Sequence, residues 1–381
     1  MAKYRLGDIA PVKQGIVPDS DQYWLLNLDA VESNTGNILE YVYVDYSQIG
    51  ASTVSFNQQN VLYSKLRPYL NKVVLPDRAG YATSEMLPLM PNEKVITREY
   101  LTFFLRSPHF VEYINGKTSG AKMPRANTAD LKAVEMECPP INEQNRIVSQ
   151  INSILTIIAH RKNELSRLDE LIRARFVEMF GDPLIGTEKF LLHTVGDVAE
   201  AIDPQPSHRT PPIDENGIPY VSIKDCDYKT GRIDFDNARK VGRSVLEDHR
   251  NRYTLHDGDF IIGKIGTIGN PVFVPARDDY TLSANIVLVQ PNHNKVSPYF
   301  LKYSFMSAYM DRQFEEAKNS TSQAAFGIQK VRQIKVMNPD LIEQYRFEMF
   351  AKQVDKSKSV VQKSLDKMQL LFDSLMQQYF G

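Results

Sequence analysis

The amino-acid sequence predicts an α/β protein in which two copies of one α/β domain alternate with two long antiparallel coiled-coil helices. Apolar residues recur at steps of three and four through residues 141–181, the pattern of a coiled-coil helix. The same pattern returns at residues 341–381, and the segments that precede the two helices share residues at a nearly constant offset. A repeat of this kind indicates a duplicated unit. The predicted segments are a first domain at 1–140, a first helix at 141–181, a second domain at 182–340 and a second helix at 341–381.

The first domain has the sequence pattern of short strands separated by turns. Runs rich in β-branched and aromatic residues occur at 24–28, 41–44, 61–64 and 72–75, with turn formers at 34–37. Residues 100–105 predict a short helix, and residues 116–125 predict a polar loop. Pro139 and Pro140 end the domain, because proline blocks a helix that arrives from upstream.

The two helices carry apolar seams that predict mutual burial. In the first helix the seam includes Ile151, Ile158 and Leu165, and in the second it includes Val361 and Leu365. We expect Leu165 and Leu365 to be buried where the seams pack antiparallel. This arrangement would return the C-terminus to the first domain and give a closed pseudo-twofold dumbbell.

The second domain repeats the first with a drifting offset. The offset between matching residues is 189 at the start of the domains, then 199, and finally 200. The drift predicts about ten additional residues early in the second copy. We expect them at 203–219, which is rich in proline, and at 239–252, which is rich in arginine.

Composition excludes several classes of protein. The 381 residues are 42% hydrophobic and 24% charged, values typical of globular proteins with more than one domain. No apolar run approaches the ~20 residues that span a bilayer, and no signal peptide is recognisable. We therefore expect a cytoplasmic protein without membrane contact. Cys138 and Cys226 stand alone, which argues against a disulfide framework and against a zinc or other metal site.

The charge balance limits how this chain could bind nucleic acid. The net charge is -1, so the protein cannot coat DNA through bulk electrostatics. Any contact must come from local clusters, or a partner must supply the positive charge.

Two local clusters are candidates for nucleic-acid contact. The first domain has Lys65, Arg67 and Tyr69 in one turn, and Lys122 and Arg125 in the polar loop. The second domain has Arg239, Lys240 and Arg243, with Lys264 and Thr267 in a glycine-rich segment. That segment lacks the G-x-x-x-x-G-K-[ST] order of a nucleotide-binding loop. Phosphate contact and a structural hairpin turn remain equally open for it, and a solvated surface remains open for the arginines.

Each helix opens with the same polar element. It consists of Glu143, Gln144 and Arg146 in the first helix, and of Glu343, Gln344 and Arg346 in the second. Acidic residues are favoured in the first turn of any helix, so ordinary helix-start chemistry is one interpretation. Helix packing or contact with a partner is the other.

Catalysis finds little support in the sequence. No serine or cysteine lies in a recognisable nucleophile motif, and the seven histidines are scattered singly. Asn338-Pro339-Asp340-Leu341 lacks the aromatic residue that an amino-methyltransferase site would need. We expect a chain without catalytic residues, although an enzyme with an unrecognised site remains an alternative.

The duplicated pattern resembles the specificity subunit of type I restriction-modification enzymes. Both helices follow a proline and open with Glu-Gln-x-Arg, and the first one closes with Phe180-Gly181-Asp182-Pro183. Leu6-Gly7-Asp8-Ile9 and the turn that begins at Ser64 extend the resemblance, which covers essentially the whole chain. The first copy departs from the second because its turn lacks the Gly-x-x-Gly segment.

The resemblance implies a function in DNA recognition. The two domains would be target-recognition domains that each read one half of a bipartite site in double-stranded DNA. The helices would set the gap between the halves and dock two methylation subunits, and restriction subunits would join that core. S-adenosylmethionine, ATP and magnesium would bind to the partner subunits and not to this chain. A coiled-coil scaffold that assembles partners without reading DNA is the alternative.

Overall fold

The computed structural model describes residues 2–120, 122–207, 209–228, 230–264, 270–319 and 327–381. The chain divides into two compact units. Unit 1 comprises Met1–Arg161 with Ser364–Gly381, and unit 2 comprises Lys162–Lys363. Each unit therefore contains one of the repeated domains together with one end of each long helix.

Unit 1 is built from short antiparallel strands and helices. Its helices are α1 (Leu6–Ile9), α2 (Arg98–Arg106), α3 (Pro108–Asn115), α4 (Thr128–Ala133) and the start of α5 (Ile141–Phe180). Its strands are β1 (Ala2–Arg5), β2 (Tyr23–Leu26), β3 (Val42–Val44), β4 (Thr53–Phe56), β5 (Val61–Ser64), β6 (Val73–Val74), β7 (Gly80–Thr83), β8 (Met86–Leu89), β9 (Thr118–Ser119), β10 (Arg125–Ala126) and β11 (Glu135–Cys138). The sheets have the orders β3-β2-β7-β4, β6-β5-β8, β1-β11 and β9-β10. Only the β2–β7 pair within these sheets is parallel.

Unit 2 repeats this plan after α5. Its strands are β12 (Leu192–Thr194), β13 (Ala199–Ile202), β14 (Ile218–Val221), β15 (Cys226–Asp227), β16 (Arg232–Ile233), β17 (Lys240–Val241), β18 (Phe260–Gly263), β19 (Val272–Phe273), β20 (Thr281–Leu282), β21 (Ile286–Pro291) and β22 (Lys335–Met337). Its helices are α6 (Val195–Val198), α7 (Arg243–Arg250), α8 (Pro298–Phe305), α9 (Ala308–Asn319), α10 (Ile328–Gln333) and the start of α11 (Leu341–Phe380). The sheets have the orders β13-β21-β18-β19, β17-β14-β20, β12-β22 and β15-β16.

The duplication predicted from the sequence is confirmed in the topology. The first strand of each domain pairs antiparallel with its last, β1 with β11 and β12 with β22. A central antiparallel pair of strands also recurs, β5 with β8 and β18 with β21. The copies differ after β3 and β17, where unit 1 has a one-turn helix and β4 but unit 2 has α7. Helix α7 therefore replaces the one-turn helix and β4 in a connection of similar length.

The two long helices pack antiparallel within each unit, as predicted. In unit 1 the hydroxyl of Tyr379 near the end of α11 donates to Oε1 of Gln150 near the start of α5, at 3.0 Å. In unit 2 Nζ of Lys358 lies 2.5 Å from Oδ1 of Asp169. Within unit 2, Phe176 contacts Phe347 and Asp169 contacts Lys358, so residue numbers fall along α5 as they rise along α11.

The prediction that Leu165 and Leu365 are buried is wrong. Both leucines are only partly covered. The apolar helix residues that are buried are Ile147, Ile151, Ile154, Ile158, Ile172, Phe176, Phe347, Val354, Val361 and Met376. A heptad pattern shows which face of a helix is apolar, but coverage of that face depends on side chains that the domains contribute.

The described residues contain neither a membrane-spanning helix nor a cluster of metal ligands. Within the described residues, no helix combines the length and the apolar character that crossing a membrane requires. Among the same residues, no three His, Cys, Asp or Glu side chains come close enough together to hold a metal ion.

Candidate nucleic-acid interface

The basic turn of unit 1 begins where β5 ends and is tied to the polar loop. The backbone N–H of Arg67 donates to the carbonyl of Pro124 at 2.7 Å, and that of Ala126 donates to the carbonyl of Lys65 at 2.8 Å. Leu66 also forms an isolated antiparallel bridge with Arg125. The fold therefore brings together two candidate segments that lie about sixty residues apart in the sequence.

Arg67 has a backbone conformation that arginine rarely adopts. Its φ is 48°, and Asn71, at the other end of the one-turn helix Pro68–Leu70, has φ 50°. A left-handed conformation is unfavourable by roughly 1–2 kcal/mol for residues with a side chain, and such strain concentrates at functional sites. Hydrogen bonds from Leu70 to Arg67 and from the Asn71 side chain to the carbonyl of Arg106 hold the turn in this shape.

Glu85 organises the charges around this turn. Its Oε1 accepts from Nε of Arg125 at 3.0 Å, and its Oε2 lies 3.9 Å from Nζ of Lys65. The backbone N–H of Lys65 also donates to the carbonyl of Glu85 at 3.0 Å. Oε2 is buried and finds no hydrogen-bond partner among the described residues, and the same holds for Nε of Arg67. Glu85 therefore holds the Lys65 and Arg125 side chains close to each other beside the turn.

Two more candidates remain accessible beside this cluster. Lys122 is exposed, and the Tyr69 ring is 51% exposed. Lys65, Arg67, Lys122 and Arg125 outnumber the single carboxylate of Glu85, so the surface is locally positive within a nearly neutral chain. Such a surface can contact phosphates through its cations and a base edge through the planar guanidinium of Arg67.

Lys264 in unit 2 lies in a different environment from Lys65. Its side chain is 6% exposed, its Nζ lies 2.6 Å from Oδ2 of Asp203, and it donates to the carbonyl of Ala284 at 3.0 Å. This burial contradicts direct phosphate contact by Lys264, because the ammonium group already has buried partners. The ion pair instead joins the end of β18 to the segment that contains Asp203. Thr267 lies outside the described residues.

The arginine cluster of unit 2 divides into buried and exposed members. Arg239 is partly buried, and its Nη2 donates to the carbonyl of Pro211 at 2.6 Å. Lys240 and Arg243, the first residues of β17 and α7, are exposed. Lys240 and Arg243 therefore remain available to a nucleic acid, whereas Arg239 supports the segment around Pro211.

Comparison with known protein families identifies the chain. The model of the type I restriction modification DNA specificity domain matches residues 1–167 and again 189–367. The chain belongs to this specificity-domain family. The two matches coincide with the two copies of the repeated unit, each extending into the helix that follows its domain.

Individual relatives share the chain's family at low identity. The EcoDI specificity subunit of Escherichia coli is 27% identical over 154 residues, which cover 39% of this chain and 34% of that protein. The EcoBI specificity subunit of E. coli is 17% identical over 307 residues, or 73% of this chain and 64% of that protein. The MjaVIII specificity subunit of Methanocaldococcus jannaschii is 20% identical over 313 residues, which cover 77% of this chain and 71% of that protein. The chain thus spans about a third of the length of the EcoDI subunit and just under two thirds of the length of the EcoBI subunit.

Solved structures of the family share the fold. The type I restriction-modification S subunit from M. genitalium superposes with a TM-score of 0.59 at 14% identity, covering 100% of this chain and 96% of that one. A second solved chain comes from work on complex assembly and conformational transition of the type I R-M system. It superposes with a TM-score of 0.56 at 16% identity, covering 100% of this chain and 97% of that one. These likenesses establish the fold of the specificity chain.

Gln144 and Gln344 join each specificity domain to the helix that follows it. Both are fully buried. Oε1 of Gln144 accepts from the backbone N–H of Thr97, and its Nε2 donates to the carbonyls of Val95 and Pro139, both at 2.8 Å. Gln344 makes the equivalent contacts with the segment before α8. These glutamines satisfy backbone groups of their own unit, which no sequence pattern indicated.

The charged members of the same element lie on the surface. Arg146 pairs with Glu143, and Arg346 pairs with Glu343, each three residues away on one helix. The hydrogen bond from Arg146 lowers the pKa of the exposed Glu143 carboxyl. Pairs of this kind contribute little to stability, so both remain available for contact with a partner.

Sequence reasoning missed the acidic partners in both units. Glu85 and Asp203 lie outside the basic clusters, and an isolated carboxylate has no distinctive sequence pattern.

Proposed function

We propose that this chain is the specificity subunit of a type I restriction-modification complex and that it reads a bipartite site in double-stranded DNA. The observation that carries the proposal is the duplicated specificity domain, each copy joined to a long helix by a buried glutamine. A protein that reads two half-sites requires two similar domains with different loops, and the basic segments of the two copies differ in this way.

The proposed interface in unit 1 is the surface formed by Lys65, Arg67, Tyr69, Lys122 and Arg125. Arg67 is proposed to contact a base edge, because its strained turn places a planar guanidinium beside the polar loop. The other cations are proposed to contact phosphates, which fix the register of a protein on DNA. In unit 2, Lys240 and Arg243 are the proposed counterparts.

The catalytic steps are proposed to belong to partner subunits. We expect two methylation subunits to dock on the helices, with Glu143, Arg146, Glu343 and Arg346 among the available contacts, and restriction subunits to join them. S-adenosylmethionine, ATP and magnesium would be bound by these partners and not by this chain. The partners would also supply positive charge around the duplex, consistent with the net charge of -1. Such a complex would act on DNA in the cytoplasm.

Domain exchange combined with methylome sequencing tests the proposal. Residues 1–140 are replaced by the first domain of another family member, and methylated sites are mapped in cells with the wild-type chain, the hybrid or no chain. We expect one half of the methylated motif to change while the other half and the gap stay the same. A change in both halves, or in neither, would contradict independent reading.

A gel-shift measurement separates DNA reading from a purely scaffolding function. The chain is assembled with the methylation subunit and titrated with duplexes that contain or lack the mapped motif. We expect preferential binding of the motif at near-physiological salt. Normal assembly without preference for any duplex would favour the scaffold.

A further inference from the structure

One face of the β3-β2-β7-β4 sheet in unit 1 carries apolar side chains that the chain covers only partly. Alternate residues of a strand point to opposite faces of its sheet. Leu26 and Ala82 are fully buried in the core, so their neighbours Leu25 and Tyr81, which pair with each other, point to the other face. Leu25 and Tyr81 are only half-buried.

A tyrosine cluster forms the centre of this outer face. The Tyr46 ring lies 5.7 Å from the Tyr23 ring and 6.4 Å from the Tyr81 ring, all in edge-to-face geometry. Tyr46 is 66% exposed. Val42 and Val44, which pair with Leu25 and Tyr23, extend the surface along the edge strand β3. We call Tyr23, Leu25, Val42, Val44, Tyr46 and Tyr81 the tyrosine face.

Unit 2 covers the corresponding face with its own chain. There the paired residues Tyr220 and Thr281 take the places of Leu25 and Tyr81, because they precede the core residues of their strands in the same way. Tyr220 is 5% exposed and Thr281 is 0% exposed. Helix α7 supplies cover, since Nδ1 of its buried His249 lies 2.7 Å from Oγ1 of Thr281.

The helix that covers this face in unit 2 is amphipathic and belongs to a basic segment. Its buried positions are Leu246 and His249, and the remaining residues face solvent or the edge of the sheet. Residues 239–252 include five Arg or Lys and only two acidic residues. In unit 1 the same place in the chain holds only the one-turn helix Tyr46–Gln48 followed by β4.

The chain segment that supplies three of the four strands of this sheet carries the opposite charge. Arg78 contacts β3, but it binds the Tyr43 hydroxyl on the other face of the sheet. Residues 14–64, which include β2, β3 and β4, contain six acidic residues and no Lys, Arg or His. Asp19 accepts a hydrogen bond from the Tyr23 hydroxyl at 2.7 Å, and Asp45 caps the turn that carries Tyr46. A duplex would be repelled from this side of the unit, because phosphates and carboxylates have the same charge.

We infer that the tyrosine face is a docking surface for a basic amphipathic helix of a partner protein. The apolar side of that helix would pack on Leu25, Tyr46 and Tyr81, as α7 packs on its sheet in unit 2. Its basic residues would meet the acidic surroundings and the tyrosine rings, which attract cations. Exposed tyrosines are also typical of protein interfaces, where they bury a large area at little entropic cost.

The docking surface is a function beyond the proposed DNA recognition. It rests on that proposal only because the partner is assumed to be a subunit of the same complex. Different results would disprove the docking surface and the DNA recognition. A chain that directs methylation to a bipartite motif but makes no contact through Tyr46 would retain the proposed function and lose this surface. A chain without DNA preference that still contacts a basic helix through Tyr46 would retain the docking surface and lose the proposed function.

Site-specific photo-crosslinking tests the inference in the assembled complex. p-Benzoylphenylalanine replaces Tyr46, and the full chain is assembled with the purified methylation and restriction subunits and with duplex DNA. We expect a crosslink to one of these subunits, mapping by mass spectrometry to a helix rich in Lys or Arg. A crosslink to DNA, to a second copy of this chain, to an acidic or non-helical segment, or to nothing would overturn the inference. The same reagent at Tyr113, which is 37% exposed elsewhere in unit 1, serves as the control.

Two substitutions test the apolar and electrostatic contributions separately. Tyr46→Ser is expected to weaken association with the crosslinked subunit about thirtyfold, the loss expected for an interface hot spot. Asp21→Lys, two residues before β2, is expected to weaken it at low salt and much less at high salt, because salt screens charge attraction. Tyr113→Ser should leave association unchanged, and none of the three should change DNA affinity. Wild-type association of both Tyr46→Ser and Asp21→Lys would overturn the inference.

Discussion

Oε1 of Gln144, on the first turns of α5, accepts a hydrogen bond from the backbone N–H of Thr97 at 2.9 Å. Thr97 is the N-cap of α2, so the bond joins the long helix to the start of a core helix of the same unit. In unit 2, Gln344 makes the same bond to Ser297, the N-cap of α8, at 2.7 Å. The glutamine of the Glu-Gln-x-Arg element therefore fixes how each helix leaves its domain.

Gln144→Ala should destabilise unit 1. The substitution removes three hydrogen bonds to buried backbone groups, and each unsatisfied buried group costs about 1–3 kcal/mol. We expect a lower unfolding midpoint in chemical denaturation of the purified chain. Asn145→Ala, at the exposed neighbouring position, should have little effect. Equal stability of the two variants would show that this junction is not a stabilising contact.

Arg67→Ala should weaken specific DNA binding by ~1–3 kcal/mol and relax the methylated motif at one position. Affinity of the assembled complex for its motif, with sequencing of its methylated sites, provides the measurement. Arg67→Gly is the matched variant, because glycine adopts φ 48° without strain. The same loss in both variants would assign the effect to the missing guanidinium. Wild-type affinity with an unaltered motif would remove Arg67 from the interface.

Lys65 and Lys264 should respond differently to substitution although they occupy equivalent positions. Lys264→Met breaks a buried ion pair with Asp203 and should destabilise unit 2 by about 3–5 kcal/mol. Lys65→Met should hardly change stability. It should reduce by about one unit the slope of the logarithm of the DNA-binding constant against the logarithm of the salt concentration. Combining Lys264→Met with Asp203→Asn should recover part of the lost stability. Similar stability losses for the two lysines would contradict this assignment.

Substitution by aspartate in the apolar seam of the two long helices should reduce folding stability most at the positions that the structure buries. Ile172→Asp places a charge at a position with 0% exposure and should destabilise unit 2 by about 3–5 kcal/mol. Leu165→Asp and Leu365→Asp, at half-covered positions, should cost less than half as much because water still reaches the carboxylate. Thermal unfolding of the three variants provides the comparison. An equal loss at all three positions would show that the seam is uniformly buried in solution.

The helices should set the gap between the two half-sites. Seven residues inserted after Arg161 and seven after Lys363, where the chain passes from one unit to the other, leave the packing inside each unit intact. The added rise is about 10 Å. We expect methylome sequencing to show a gap longer by about three base pairs, or loss of methylation. Retention of the original gap with full activity would contradict the prediction, and insertion in one helix alone is the control expected to abolish recognition.

The sequence by itself determined the duplication, the extents of the long helices and the family. These properties depend on local regularity: α5 and α11 follow from apolar residues at steps of three and four, and the repeat follows from matching residues at a constant offset. The same reasoning identified Lys65, Arg67 and Arg125 as candidates. The fold brings Lys65 and Arg125 together at Glu85, and the backbone of Arg67 bonds to Pro124 beside them.

Only the tertiary structure decided which candidate side chains are free to act. Lys264 is neutralised by Asp203, which lies 61 positions earlier in the chain, whereas its counterpart Lys65 stays accessible. Exposure of Tyr46 likewise depends on the absence from unit 1 of a helix equivalent to α7. Burial and charge pairing are set by residues distant in sequence, so a side chain's availability cannot be read from its own segment.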